Sequence, residues 1–523
     1  MTRKGDRTPH LHGLAARAPA VPALLAVLAL VLIPAAALAR PGGGQGYSGG
    51  GGGDGGGGGV IFLLVRLWIE FVIAYPQLGI PLTIVIAVVF VQRQRRKQRE
   101  GAQHWDSRPG AAAPPLSPAS HDLDQIRQLD ADFSVVLFED FAFALYARAQ
   151  EARAHPQDLA ALAPYLSEAA RRHLASRPPV GAPVTAVVIG ALRVLDLALP
   201  VLPAAGVGAG AAGAPVADRP RVAILLEYES NLTAGAAGAQ SSQYVRERWR
   251  LVRDAGVRSK PPEAVKTFHC PHCGAPFEPS GGGERCQYCG EVVAGGRFDW
   301  SVESMTVVSA QDRPPALTGT VAEVGTDFPT VFHPALAARR AELLRDDPAA
   351  TDTALAARLR LIYDQLNAAW TGLDLAPARP YISDGLFDYL QYWIAAYRSE
   401  GLRNVLAGMR MTESTLTKII RDKHFDSVTF RIWGTGRDST VREATGEVVA
   451  GDPRTDRPYS EYWTLIRGAA VRGAPRTDKS CPNCGAPLEV NMAGQCQHCA
   501  AKVTSGDFDW VLSKIEQDDS YSG

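Results

Sequence analysis

Eight cysteines are the residues best placed to do chemistry in this 523-residue chain, and none stands alone. Cys270 and Cys273 are followed by twelve residues and then Cys286 and Cys289. Cys481 and Cys484 are followed by eleven residues and then Cys496 and Cys499. Each Cys-x-x-Cys lets two thiolates grip one ion from a tight turn, and two such turns complete a tetrahedral four-sulfur site suited to zinc. Pro271 and Pro482 stiffen the turns, and Gly274, Gly290 and Gly485 follow a pair where backbone must approach sulfur. The expectation is two structural zinc ions per chain, one in a ribbon at 266–296 and one in a ribbon at 478–506. Four-cysteine iron–sulfur ligation stays open as the minority alternative. Redox chemistry of the thioredoxin kind uses one pair in a βαβ unit, not four pairs in loops. His269, His272 and His498 lie beside or inside the pairs and are read as bystanders, because four thiolates already fill a site.

The elements around these sites recur. Cys270-Pro-His-Cys273-Gly-Ala-Pro-Phe-Glu returns as Cys481-Pro-Asn-Cys484-Gly-Ala-Pro-Leu-Glu. Phe298-Asp-Trp300 returns as Phe508-Asp-Trp510, and Glu247-Arg-Trp249 as Glu461-Tyr-Trp463. Pro164-Tyr-Leu-Ser167 returns as Pro380-Tyr-Ile-Ser383. Matches in one order at nearly one offset indicate an internal duplication. The two copies are placed at 121–309 and 345–518, with a linker at 310–344. Each begins with a helix. Phe133, Val136, Leu137, Phe141, Ala144 and Leu145 share one face in the first copy; Leu355, Leu359, Ile362, Leu366 and Trp370 do so in the second. Strands follow at 184–197, 222–230 and 244–253, then at 412–422, 427–433 and 459–467. Helices first and antiparallel strands afterwards predict an α+β layer rather than a Rossmann sheet. The tryptophans, with Tyr165 and Tyr381, are expected in the cores, and Asp299 and Asp509 have no visible acid or base partner.

The N-terminal region reads as an anchor. A basic stretch, an apolar run and Ala37-Leu-Ala39 predict a signal peptide over 1–39. Residues 40–59 are glycine-rich, almost all glycine from Gly42 to Gly59, and cannot bury apolar area. Residues 60–92 are apolar enough for a transmembrane or interfacial segment, although Pro76 and Pro81 fall within it. The stop at Arg93, Arg95, Arg96, Lys97 and Arg99 opens a linker over 93–120 and holds the rest of the chain in the cytoplasm. That topology places the cysteines in a reducing compartment and excludes disulfides. The expected location is a bacterial-type inner membrane with the C-terminal domains cytoplasmic.

This order of elements resembles the Tim44-like family. The resemblance is sharpest at Thr445-Gly-Glu-Val-Val-Ala-Gly451 and Glu461-Tyr-Trp463-Thr-Leu-Ile-Arg467, with Asp130-Ala-Asp132-Phe-Ser134 like the family's opening. The resemblance implies two tandem NTF2-like units and a membrane-tethered docking or scaffold role, possible in transport, with an unknown protein or lipid partner. The import role of the mitochondrial relatives does not transfer. An NTF2-like small-molecule pocket or enzyme is the first alternative, and nucleic-acid binding by the ribbons the second. Acidic and basic residues balance at 54 each. Residues 266–300 and 476–510 each carry three basic and four acidic side chains. Phosphate-backbone binding needs a basic surplus, so this counts against nucleic acid. Gly208-Ala-Gly-Ala-Ala-Gly213 fits a dinucleotide pattern but lacks the strand–turn–helix context. No catalytic constellation is legible, and the chain is read as non-enzymatic.

Overall fold

The computed structural model describes residues 122–200, 219–235, 240–278, 284–312, 317, 326–518, 521 and 523. The expected signal peptide, glycine tract and anchor, and the glycine pattern at 208–213, lie outside the described residues. Among the described residues no helix is long and apolar enough to cross a membrane.

The N-terminal half opens with helices α1 (Val135–Ala152), α2 (Pro156–Ala161) and α3 (Glu168–Ala175). Strands β1 (Val184–Ala198), β2 (Arg221–Ala234), β3 (Ser241–Asp254) and β4 (Ser301–Asp312) follow. The C-terminal half has α4 (Leu336–Asp346), α5 (Asp352–Thr371) and α6 (Asp384–Ser399), then β5 (Leu402–Arg421), β6 (Phe425–Arg442), β7 (Val448–Gly468) and β8 (Val511–Gln517). Each set of strands forms one four-stranded antiparallel sheet in sequence order. The protein is thus mixed α and β, helices preceding strands in both halves. Two large cores lie between the helices and the sheets.

Local chemistry explains the helix starts. Ser134 caps α1 by accepting from the Leu137 N–H at 3.3 Å, and Thr351 caps α5 by accepting from Ala354 at 3.2 Å. Such caps satisfy amides that a first turn leaves without partners. The Pro-Tyr-Leu/Ile-Ser segments do two jobs. Ser167 and Ser383 cap α3 and α6, and their own amides donate to Val302 at 2.9 Å and Leu512 at 2.8 Å. Each segment therefore adds a short parallel bridge to the last strand of its sheet.

Several expectations need correction. Phe133, Leu137, Phe141 and Leu145 are buried as expected, but Val136 and Ala144 are only half-buried, and Phe138, Ala142, Tyr146 and Ala149 are buried instead, which shifts the face of α1. All five residues named on α5 are buried, as expected. The strands of the C-terminal half run far beyond 412–422, 427–433 and 459–467. Gly434 and Gly436 do not end β6. A Cβ on Gly434 would sit 2.5 Å from the Tyr459 ring, and one on Gly436 would sit 2.2 Å from the Met409 sulfur. These glycines make room for neighbours across the sheet. Helix α4 begins inside the segment expected as a linker over 310–344.

A buried ion pair ties each half together. Arg253, at the end of β3, donates to Asp130 at 2.9 Å, and Ser259 donates to the same carboxylate oxygen from its amide at 2.9 Å and its hydroxyl at 2.6 Å. Arg467, at the end of β7, donates to Asp347 at 2.8 Å, with the Gly473 amide at 3.1 Å. Each guanidinium also lies over an indole, Trp300 at 4.6 Å and Trp510 at 4.4 Å. All four charged side chains are at most 3 % exposed. Removing one partner of a buried pair typically costs about 3–5 kcal/mol, because the other charge is stranded. Asp347→Ala should therefore lower the unfolding free energy of the C-terminal half by an amount in that range, obtained from the denaturant midpoint and slope followed by tryptophan fluorescence. A shift below about 1 kcal/mol, the ordinary worth of an exposed pair, is the result that refutes this account.

Candidate metal centres

The sheets place the cysteines in the long connections between β3 and β4 and between β7 and β8. Four turns of one design present them. In each, the first cysteine's amide donates to a carbonyl five residues on: Cys270 to Ala275 at 2.8 Å, Cys286 to Glu291 at 2.9 Å, Cys481 to Ala486 at 2.7 Å and Cys496 to Ala501 at 2.9 Å. The amide four residues on returns to that cysteine's carbonyl, from Gly274, Gly290, Gly485 and Ala500, each at 2.9 Å. That fourth residue must adopt a left-handed backbone, with φ of 76°, 72° and 74° at the glycines and 58° at Ala500. A non-glycine residue there carries strain.

The turns bring all eight expected residues into two clusters. Within each, the four sulfurs lie within 4.8 Å of one another. Cys270 and Cys289 are 3.9 Å apart and Cys273 and Cys286 3.8 Å; Cys481 and Cys499 are 3.8 Å apart and Cys484 and Cys496 4.0 Å. These separations are far from a disulfide bond of about 2.05 Å. They fit a tetrahedron of zinc–sulfur bonds of about 2.3 Å, whose edges are about 3.8 Å. Each cluster can therefore hold a metal ion. His272 packs on Phe298 at 4.6 Å, His498 faces Glu489 at 3.9 Å, and the His269 carbonyl accepts from the Tyr165 hydroxyl. Among the described residues no histidine joins either cluster.

The thiols are unequal. Burial pushes Cys270 up to about 12. Burial also opposes ionisation of Cys286, but the amides of Cys289 and Tyr288 and its sulfur neighbours outweigh it and bring the thiol down to about 7. The Asn483 side-chain amide leads in lowering Cys499 to about 6. Against the Ala486 amide, lost hydration and neighbouring sulfurs raise Cys484 to about 11. Without an ion, four sulfurs cannot all carry charge at neutral pH. A bound divalent cation removes that conflict, and its binding releases protons.

Each cluster is fastened to its sheet on the far side. Gly296 and Gly506 accept from Asp254 at 2.8 Å and Gly468 at 2.9 Å. A Cβ on Gly296 would lie 2.6 Å from the Val252 carbonyl oxygen, and one on Gly506 3.2 Å from the Arg467 Cα. Asp299 and Asp509 have partners that sequence alone did not reveal. Lys260 reaches Asp299 at 2.6 Å, and Asp509 accepts from the Arg476 amide at 2.9 Å while Arg358 stands 3.4 Å away. Trp249, Trp300, Trp463 and Trp510 are buried in the cores, as are Tyr165 and Tyr381.

Two antiparallel sheets, each with a four-cysteine cluster between its last two strands, define a mixed α/β protein with two clusters that could each hold a metal ion. Residues 336–476 of the chain match the Tim44-like domain, and the protein carries that domain. The match runs from α4 to just before the second cluster, so the cysteines and β8 lie beyond it. A comparison with curated proteins finds no match.

Two measurements bear on the clusters. Elemental analysis should give two zinc per chain, falling to one in Cys270→Ser/Cys273→Ser; iron in place of zinc, or no metal with titratable thiols intact, contradicts the zinc expectation. Ala500→Gly should remove left-handed strain of about 1–2 kcal/mol, partly offset by the greater freedom of glycine when unfolded. Competition against a chelator should then show up to about tenfold tighter metal retention in the second cluster. Weaker retention contradicts the strain assignment.

Proposed function

We propose that this chain is a membrane-tethered, non-enzymatic docking protein built from two copies of one Tim44-like, NTF2-like unit, each braced by a structural zinc ion. The Tim44-like match at 336–476 carries the reading, because such a domain suggests a docking or scaffold role. Matching contacts in the two halves support the duplication. Asp130 and Asp347, the caps Ser134 and Thr351, and the core tyrosines Tyr146 and Tyr363 are each separated by 217 positions (347 − 130, 351 − 134, 363 − 146). Tyr146 packs on Trp249 at 4.9 Å and Tyr363 on Trp463 at 5.7 Å. The repeated Pro-Tyr bridges and four-thiolate clusters add to that support.

Tethering rests on residues 60–92 and the basic stop after them, with the C-terminal domains on the cytoplasmic face. Two linked modules on one tether gain avidity through effective concentration, which suits docking of a protein or lipid partner in a transport-associated assembly. In cells, the chain should stay with membranes through alkaline extraction and become soluble when residues 1–92 are removed. Crosslinking in the native membrane should recover one stoichiometric partner with the intact chain. Release of the intact chain by alkali, or a C-terminal reporter active only after export, overturns the reading.

A further inference from the structure

The interior of the N-terminal half contains a charge that its fold does not need. Glu247 on β3 faces the helices, 1 % exposed, paired with Arg177 and accepting from the Gln150 side-chain amide at 2.9 Å. Arg177 is 6 % exposed and Arg153, at the end of α1, is 4 % exposed. Arg153 makes one long contact, Nη1 to Gln150 at 3.4 Å. Its Nε and Nη2 are buried and have no hydrogen-bond partner. Glu247 thus pairs with Arg177, and Arg153 reaches only the Gln150 side chain that bonds to the same carboxylate. Burial and the charge of Arg177 hold His173 below the usual imidazole range, so it adds no compensating interaction; its buried Nε2 also lacks a partner.

Two features make this more than loose packing. First, Nε and Nη2 form the side edge of the guanidinium, with parallel N–H bonds spaced to meet two oxygens of one carboxylate or phosphate. An unpaired buried cation is costly, whereas a paired one is tolerated. Second, the position does not demand charge. At the offset of 217 that relates the two halves, Arg153 corresponds to Trp370, which is fully buried and donates to Asn404 at 2.8 Å. Ala154 is half-buried and His155 exposed, so the backbone leaves the core just beyond Arg153.

We infer that Arg153, with Arg177 beside it, forms an oxyanion-binding site at the helix-facing rim of the N-terminal sheet, taking a phosphate or carboxylate group on the Nε–Nη2 edge. The comparison with Trp370 rests on the proposed duplication; the inference is otherwise independent of docking and of the cysteine clusters.

The test is calorimetric titration of the full chain in detergent with sodium phosphate, then sodium acetate, at constant ionic strength. One saturable site per chain is expected for at least one of them. Arg153→Met should weaken it at least tenfold and, without anion, melt no lower than the parent chain, since a stranded charge is gone. Arg153→Lys keeps the charge but loses the two-donor edge, and should also weaken binding at least tenfold if the methionine variant fails to fold. Arg172→Met, at an exposed arginine, should change nothing. The source of the group is read by repeating the titration in nanodiscs of phosphatidylcholine, with and without phosphatidic acid. Loss of the response only with phosphatidic acid assigns a lipid headgroup; a response in both assigns a free anion. No saturable binding of either anion, or equal binding by the Arg153 variants, overturns the inference.

Discussion

A carboxylate buried beside a guanidinium beside an indole is the constraint on which each half of this protein depends. Asp130 lies before the first helix, Arg253 at the end of the third strand, and Trp300 immediately after the metal ribbon. In the other half Arg467 and Trp510 hold the same places, and Asp347 lies between α4 and α5. The arrangement survives burial because each carboxylate also receives backbone or hydroxyl donors, which lowers the cost of taking both charges out of water.

The metal clusters act on the same point from outside. Each ribbon returns to its sheet through a glycine pressed against the strand that carries the arginine, Gly296 at Val252 and Gly506 at Arg467. Asp299 and Asp509 then fix the indole's own backbone, accepting from the amides of Trp300 at 2.8 Å and Trp510 at 2.7 Å. An ordered ribbon therefore presents the indole to the guanidinium, and a disordered one leaves the arginine's face uncovered. These few contacts link the order of each ribbon to the packing at the end of its sheet.

The clustering of the cysteines was legible because its information is local. Two cysteines three apart define a turn, and two turns define a tetrahedron, whatever the remaining chain does. The left-handed Ala500 was not legible, since the glycines at the other three turns hid the rule behind residue identity. The order of helices and strands was legible from periodicity. Strand ends in the C-terminal half were not, because Gly434 and Gly436 resemble breakers until Tyr459 and Met409 are seen lying on them. The ion pairs were beyond reach for a different reason: Asp130 and Arg253 are 123 residues apart, and nothing near either names the other. Arg153 likewise reads as one more polar residue at a helix end until the helix is packed.

One topological detail governs the order in which such a molecule can assemble. Strands β3 and β4 are sheet neighbours, yet 46 residues separate them (301 − 254 − 1), and β7 and β8 are separated by 42 (511 − 468 − 1). Neither pair can zip outward from a tight turn as a hairpin does. Pinning Cys270 to Cys289 shortens the first connection by roughly 20 residues, which by loop-closure entropy lowers the closing cost by only about 0.5 kcal/mol. The greater effect is directional: a folded ribbon delivers Trp300 or Trp510 to its seat and starts the final strand beside its partner. Completion of each sheet thus depends on how its long cysteine-bearing connection is ordered, not on a tight turn.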